Sequence, residues 1–217
     1  MAINFWRQQW QEVTNTNSVL TIPQTTYNFK QVKVSDYDYY ALEKNYRKEG
    51  QEILQEEESL KYLRNTKPLT NTCAIKLSWT LNKSGYYIPK ARETPSNVRI
   101  QNNHKKVNQN YILDAESMVN YLKLIEKPLY SFSDLNTKEK VENAISEIHK
   151  SDDMLGIVGL VAGDKQAYGA TGHVDLLYED FMWDLSLYSY GGDDLYPYLL
   201  KRLNINFDLY VWVLQED

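Results

Sequence analysis

The chain has 217 residues, of which 42% are hydrophobic and 24% are charged, a composition typical of a globular domain that buries a full core. The formal net charge of -5 argues against broad attraction to nucleic acid or to an anionic membrane surface. Cys73 is the single cysteine, which excludes an internal disulfide and a zinc site built from several thiolates. We therefore expect no metal, no cofactor and no nucleic-acid partner.

The N-terminal third of the chain predicts surface helices. Residues 1–13 read MAINFWRQQWQEV, an amphipathic helix without the continuous apolar region of a secretory signal. Residues 36–65 are charged and favour a helix with a break at Gly50, and their incomplete apolar stripe predicts packing on the outside of the domain. No segment is long enough to span a membrane. We expect synthesis in the cytosol, no export by the usual signal route and no membrane insertion.

A buried helix is predicted over residues 73–82, which are apolar on most sides. Asn71 or Thr72 can cap its start, and Gly85 can end it. Residues 91–110 are polar and predict a loop. The next helices are predicted over 114–125, beginning at Asp114, and over 137–150, a surface helix with an inward-facing apolar side.

The character of the sequence changes after residue 153. Segments rich in valine, leucine and aromatic residues, bounded by glycine, aspartate and asparagine, predict strands over residues 154–163, 170–178, 181–190 and 207–215. Short connections such as YED favour antiparallel hairpins. Helices first and strands afterwards is the α+β order, with helices packed on one face of an antiparallel sheet.

Cys73 lies at the first turn of the predicted buried helix. At that position the positive end of the helix dipole and the unpaired backbone N–H groups stabilise a thiolate, the reactive form of the side chain. The same N–H groups can receive the oxyanion of a tetrahedral intermediate. The alternative is a structural thiol, since free cysteine is among the most buried residue types.

A nucleophilic thiol needs a base, and His173 is the best placed of the three histidines. His104 lies in a polar loop and His149 lies on a charged helix, whereas His173 begins a predicted strand directly after a glycine. Its ring can therefore project beyond the sheet edge toward a docked helix. A purely structural histidine is the alternative reading.

Two carboxylates compete for the role of the third, orienting group. Strand alternation puts His173 and Asp175 on the same face, where Asp175 reaches the side of the ring only awkwardly. Asp184, on the returning strand, can approach from across the ladder and is the preferred candidate. Cysteine, histidine and an acid on a helix and two neighbouring strands is the arrangement of papain-like thiol hydrolases.

Three segments carry a resemblance to a known family: NTCAIKLSWTLNKSGYYIP, ATGHVDLLYEDFMWD and DLYVWVL. Together they resemble the fourth family of type VI secretion amidase effectors, which are compact papain-fold peptidases of the NlpC/P60 group. In that family a C-A/P-I-R-x-S-x-x-L-N-x-x-G helix carries the nucleophile and a G-H-V/I-x-L-W strand carries the base. The match is close over residues 72–89 and continues from about residue 155.

The resemblance implies that Cys73 is the nucleophile and His173 the base, and the family's spacing places the acid eleven residues after the histidine, at Asp184. It implies hydrolysis of the γ-D-glutamyl–meso-diaminopimelate amide of peptidoglycan stem peptides. The implied partners are a cognate immunity protein and components of the type VI secretion tube or spike. Such an effector is made in the producer's cytoplasm and acts in the periplasm of the target cell.

Some features depart from the family pattern. Leu177 stands where the family has tryptophan. The segments 1–65 and 130–153 are longer than the corresponding parts of the family core. We therefore expect a single catalytic domain over 1–217, with an N-terminal helical extension over about 1–65 and an inserted helix within about 130–153. Two other functions are a housekeeping NlpC/P60-type endopeptidase, disfavoured by the missing export signal, and a non-catalytic binding module, disfavoured by the retained cysteine, histidine and acid.

Overall fold

A computed structural model describes residues 33–46, 73–90, 94, 97–101, 110–151, 154–179, 181–182 and 193–215 of the chain. Its α-helices are α1 (Cys73–Lys83), α2 (Ala115–Ile125), α3 (Lys138–Ile148), α4 (Lys165–Tyr168) and α5 (Leu195–Leu200), and residues 39–46 are also helical. Its strands are β1 (Ile100–Gln101), β2 (Tyr111–Ile112), β3 (Tyr130–Leu135), β4 (Leu155–Ala162), β5 (Gly172–Tyr178), β6 (Phe181–Met182), β7 (Asp193–Asp194) and β8 (Phe207–Val213). Short 3-10 turns lie at Val34–Asp36 and Leu203–Ile205.

The strands form a six-stranded sheet with the order β3-β8-β4-β5-β6-β7 and a separate two-stranded pair, β1-β2. All neighbours in the larger sheet are antiparallel, so the predicted α+β class with an antiparallel sheet is confirmed. The strands predicted from residues 154, 170 and 207 onward are present as β4, β5 and β8. The strand predicted over 181–190 begins with β6, and its residues 183–190 lie outside the described residues.

Helices cover both faces of this sheet. Alternate residues of β4 are buried on opposite sides, with Ile157 in one apolar cluster and Val158 in the other. The N-terminal helices α1 and α2 pack on the Ile157 face, as the order of elements predicts. Helices α3 and α5 bury their apolar sides against the Val158 face, which the order of elements did not predict.

The predicted helix ends are present where the structure describes them. Asp114 caps α2 by accepting a hydrogen bond from the backbone N–H of Ser117. Helix α1 ends at Lys83, and Gly85 follows with a φ of +89°, a conformation in which glycine carries no steric penalty. The proposed caps of α1, Asn71 and Thr72, lie outside the described residues.

The prediction that residues 36–65 pack on the outside of the domain is wrong for residues 36–46. Tyr37, Tyr39, Leu42 and Tyr46 are buried in the same apolar cluster as α1 and α2. Backbone hydrogen bonds from Tyr39 N–H to the carbonyl of Gln215 and from Gln215 N–H to the carbonyl of Tyr37 tie this segment to the end of β8. The predicted surface helix at 1–13 and residues 47–65 lie outside the described residues.

The region 130–153 contains a strand as well as the predicted helix. Helix α3 confirms the helix predicted over 137–150, with Val141, Ile145 and Ile148 buried. Before it, β3 pairs with β8 and extends the sheet at its edge. Within the described residues, no helix is long and apolar enough to cross a bilayer.

Candidate active site

Cys73 is the first residue of α1 and its side chain is buried, with 7% of its surface exposed. The first backbone N–H groups of a helix have no partner within the helix, and the Cys73 thiol lies at this end of α1. Ser78 fixes the helix in place, because its hydroxyl donates to the carbonyl of Ala74 and accepts from the backbone N–H of Ile112 in β2. Helix α1 is thereby held with its start against β5.

His173 is the second residue of β5 and lies opposite Leu160 of β4 in the antiparallel register. The residue is only 8% exposed. A hydrogen bond joins the side chains of His173 and Cys73. The fold therefore brings together the predicted nucleophile and the predicted base, one from the start of a helix and the other from the start of a strand.

Asp175 contacts the ring of His173 as well. Its Oδ2 lies 3.4 Å from Nε2 of His173, and its side chain is completely buried. Its Oδ1 accepts hydrogen bonds from the hydroxyl of Tyr46 at 2.5 Å and from the backbone N–H of Leu176 at 2.8 Å. A buried carboxylate is costly unless it is paired, and Asp175 is paired on both oxygens.

The expectation that Asp175 reaches the ring only awkwardly is wrong. Strand alternation does put His173 and Asp175 on one face, as predicted, but the side chain of Asp175 turns along the strand and places a carboxylate oxygen at Nε2. The preferred acid, Asp184, lies outside the described residues and stays a prediction.

An aromatic group covers the histidine from α5. The ring of Tyr198 lies 5.3 Å from the His173 ring, and the Tyr198 hydroxyl is 2.7 Å from that of Tyr168 in α4. The guanidinium of Arg202 lies 3.5 Å from the centroid of the Tyr198 ring and donates to the Tyr198 carbonyl. Tyr198, with Arg202 stacked on it, therefore lies against the His173 ring.

The electrostatics of the site favour a protonated imidazole. Burial of the ring lowers the pKa of His173, but hydrogen bonds with Asp175 and Cys73, and the negative charges of both groups, raise it more. The net pKa of His173 is well above its ordinary value. A protonated imidazole beside a cysteine side chain is the arrangement that nucleophilic cysteines generally require.

Of the other two histidines, the one that the structure describes takes no part in this arrangement. His149 is exposed at the C-terminal end of α3, and His104 lies outside the described residues. Among the described residues there is no group of three or more histidine, cysteine, aspartate or glutamate side chains arranged to hold a metal ion.

Two residues that contact the Asp175–His173 pair were not predicted from the sequence, Tyr46 and Tyr198. Tyr46 had a recognisable signal, since Tyr39, Leu42 and Tyr46 are spaced to share one face of a helix. That spacing indicates a buried face, although nothing in it indicates Asp175 as the partner of Tyr46. Tyr198 follows a segment without a distinct pattern and had no comparable signal.

Comparison with known families gives a match over much of the chain. The profile of the family described as "Type VI secretion system (T6SS), amidase effector protein 4", or Tae4, matches residues 69–191, more than half of the chain. This range includes both Cys73 and His173 and begins well after Tyr46. No match was found among curated proteins.

Solved structures show the same fold at low sequence identity. The effector Tae4 from Enterobacter cloacae is 16% identical with a TM-score of 0.53, and the match covers 85% of this chain and 100% of that one. The Tae4-Tai4 effector–immunity complex from the same organism gives 16% identity and a TM-score of 0.54, covering 82% and 98% of the two chains. The Tae4/Tai4 system of Salmonella typhimurium gives 17% identity and a TM-score of 0.50, with the same coverage. The predicted papain-like α+β fold of the NlpC/P60 type is confirmed by these matches.

Proposed function

The chain belongs to the Tae4 family of type VI secretion amidase effectors, and from that premise we propose that it is an antibacterial cysteine amidase that hydrolyses peptidoglycan stem peptides. The bond proposed to be cleaved is the γ-D-glutamyl–meso-diaminopimelate amide. The observation that carries this proposal is the hydrogen-bonded pair of Cys73 and His173 at the start of α1 and β5.

The first half of the proposed reaction forms a thioester. The thiolate of Cys73 attacks the γ-carbonyl carbon of the D-glutamyl residue, and the carbonyl oxygen becomes an oxyanion beside the first N–H groups of α1. The imidazolium of His173 gives its proton to the amide nitrogen as the C–N bond breaks. The amine of diaminopimelate leaves, and the glutamyl group remains bound to sulfur.

The second half releases the acyl group. Neutral His173 takes a proton from a water molecule, and the resulting hydroxide attacks the thioester carbonyl. The C–S bond breaks and the thiolate of Cys73 is restored beside the imidazolium, while the product leaves as a γ-carboxylic acid that gives its proton to water or to the released amine. The proton transfers at the reacting bonds pass through one imidazole, which explains why its position and its pKa matter.

The acid assigned by the family's spacing is Asp184, and it remains part of the proposal as a second group, besides Asp175, that can orient His173. A carboxylate in that role holds the imidazole in one tautomer and stabilises the imidazolium. The mechanism requires no metal ion, because the nucleophile is a side chain and not a metal-bound water.

The proposed partners follow from the family. Tae4 effectors have been solved in complex with Tai4 immunity proteins, and we propose that a cognate immunity protein blocks this chain in the producing cell. We also propose that type VI tube or spike components deliver the protein into the target periplasm, where its peptidoglycan substrate lies.

The decisive experiment is digestion of purified sacculi, with the products identified by mass spectrometry. The wild-type protein should release free diaminopimelate amino groups and new γ-carboxylates on D-glutamate. Cys73→Ala should abolish cleavage while leaving the fold intact, because it removes a single sulfur atom at a helix start. Folding of the variant is checked by circular dichroism.

Two outcomes would count against the proposal. Turnover by Cys73→Ala would remove the thiol from the mechanism. Cleavage at a different bond of the stem would keep the cysteine amidase and correct its specificity.

A further inference from the structure

A buried residue from outside the family-matched segment, Tyr46, takes part in the hydrogen bonds around His173. We infer that Asp175 is a positioning residue for His173, and that Tyr46, which precedes residues 69–191, holds Asp175 in its working orientation. The inference rests on the proposed roles of Cys73 and His173, and it adds two residues that the family's spacing does not assign.

The hydrogen bonds of Asp175 fix the direction of its carboxylate. Oδ1 receives two donors, the Tyr46 hydroxyl at 2.5 Å and the Leu176 N–H at 2.8 Å. With Oδ1 held on that side, Oδ2 is turned toward Nε2 of His173 at 3.4 Å. Hydrogen bonds between catalytic groups are often long in a free enzyme and tighten only when the substrate is bound, so this distance is compatible with a role in the reaction.

This orientation selects one tautomer of the imidazole. A carboxylate at Nε2 favours the tautomer that carries its proton on Nε2, and Nδ1 is then the nitrogen that can exchange a proton with Cys73. The same carboxylate stabilises the imidazolium when the thiolate forms. An orienting residue in a Cys-His site performs these two tasks.

Tyr46 links this function to the N-terminal segment. It is only 2% exposed and reaches Asp175 across 129 positions of sequence. The helical residues 39–46 are held on the sheet by the hydrogen bonds between Tyr39, Tyr37 and Gln215. Residues before the family-matched segment therefore contribute to the alignment of the base.

Several charged or titratable groups face His173 and bear on any pH measurement. Asp175 lies on its own strand, Cys73 approaches from α1, and Tyr198 covers the ring from α5 with Arg202 stacked on Tyr198. Removing Asp175 leaves the negative charge of Cys73 in place. The loss of Asp175 should therefore weaken the preference for an imidazolium without abolishing it.

The test uses the single cysteine of the chain as its reporter. Because Cys73 is the only thiol, the rate of alkylation by iodoacetamide as a function of pH reports the Cys73–His173 pair without any peptidoglycan substrate. Asp175→Asn keeps the shape of the side chain and removes its charge. It should lower the pH at which the imidazolium titrates by about one unit or more, a tenfold change in the equilibrium. Tyr46→Phe should shift it in the same direction by less.

The second readout is the tautomer of neutral His173, measured by the nitrogen chemical shifts of its ring and assigned with His173→Gln. The wild-type protein should carry the proton on Nε2, whereas both variants should give a mixture of tautomers. Tyr37→Phe is the matched control, because it also removes the hydroxyl of a buried tyrosine in this segment. The ring of Tyr37 packs on Tyr86. The control should behave as the wild type in both measurements.

The outcomes separate this inference from the proposed function. If folded Asp175→Asn and Tyr46→Phe titrate like the wild type and keep its tautomer, Asp175 is only a packing residue. The inference is then overturned, even if the wild-type protein cleaves sacculi. The predicted shifts without any cleavage of sacculi would uphold the inference and contradict the proposed function. If Asp175→Asn does not fold, Tyr46→Phe and the wild-type tautomer decide, and a wild-type proton on Nδ1 would overturn the inference by itself. A loss of the Nε2 tautomer in Asp184→Asn but not in Asp175→Asn would assign the role to Asp184.

Discussion

Gly172 approaches the backbone of Leu160 so closely that a Cβ built on it would lie 1.9 Å from the Leu160 carbonyl oxygen. Its φ of +150° is also a conformation that residues with a side chain rarely adopt. Gly172 is the residue directly before His173, so this close approach of β5 to β4 sets the position of the proposed base.

Gly172→Ala should therefore impair both stability and activity. The added methyl group must push β5 away from β4 at the site, and we expect a loss of about 3 kcal/mol in the free energy of unfolding. Cleavage of sacculi should fall more than the folded fraction does, because His173 moves away from Cys73. Chemical denaturation and alkylation of Cys73 measure the two effects.

Gly169→Ala is the matched control. Gly169 has a φ of +79°, but a Cβ built on it meets nothing within 4 Å. Its substitution should cost only about 1 kcal/mol from backbone strain and leave the alkylation rate unchanged. Equal effects of the two substitutions would mean that the contact with Leu160 does not position the base.

Gly159 allows α2 to pack directly on the centre of the sheet. A Cβ on Gly159 would lie 2.5 Å from a methyl carbon of Val119 in α2. Gly159→Ala should therefore destabilise the protein by about 1–3 kcal/mol through overpacking. Val119→Ala alone should cost about 2 kcal/mol by leaving a cavity.

The double variant Gly159→Ala/Val119→Ala should be more stable than the sum of the single changes predicts, by at least about 1 kcal/mol, since each change fills or opens the same space. Denaturant unfolding of all four proteins measures this coupling. Strict additivity would show that α2 shifts to accommodate the methyl group.

The sequence predicts the elements of the site better than the contacts between them. The valine-rich and leucine-rich runs predict β4, β5 and β8, and the cap at Asp114 predicts α2, because these signals are local in the chain. The pairing of Cys73 with His173 follows from their predicted elements and from the family resemblance. Residue spacing alone left a structural thiol and a structural histidine open.

Two features could not be predicted in this way, for different physical reasons. The side chain of Asp175 is hydrogen-bonded by Tyr46 from 129 positions away, a contact that strand periodicity does not indicate because it gives only the face. Strand β3 reads YSFSDL and lies at the sheet edge with half of its residues exposed, so it lacks the apolar run that marked the central strands.

Toxicity should depend on the compartment in which the protein is present. If the target is the peptidoglycan stem, expression in the cytosol should be tolerated, because the substrate is outside the inner membrane. The same chain directed to the periplasm of a bacterium with diaminopimelate-type peptidoglycan should lyse the cells, which is measured by optical density and microscopy. Cys73→Ala, directed to the periplasm, is the control and should be harmless. Equal toxicity in both compartments would indicate a cytosolic target.

The raised pKa of His173 makes stability depend on pH in a defined direction. In the unfolded chain a histidine has a pKa of about 6.5. In the folded protein, burial lowers the pKa of His173, and the contacts with Asp175 and Cys73 raise it more. A group whose pKa is higher in the folded state contributes stability that is fully present below the unfolded value. That contribution is lost as the pH rises through the folded value.

Denaturant unfolding of the wild type and His173→Gln, measured in steps from pH 5 to pH 10, tests this linkage. The stability difference in favour of the wild type should be largest below about pH 6.5 and should shrink as the pH rises above it. Asp175→Asn removes one of the two groups that raise the pKa, so its stability should decline over a narrower range of pH than that of the wild type. A constant difference between the wild type and His173→Gln across the whole range would mean that the imidazole has the same affinity for a proton in the folded and unfolded chains. The charge pattern proposed for the site would then be wrong.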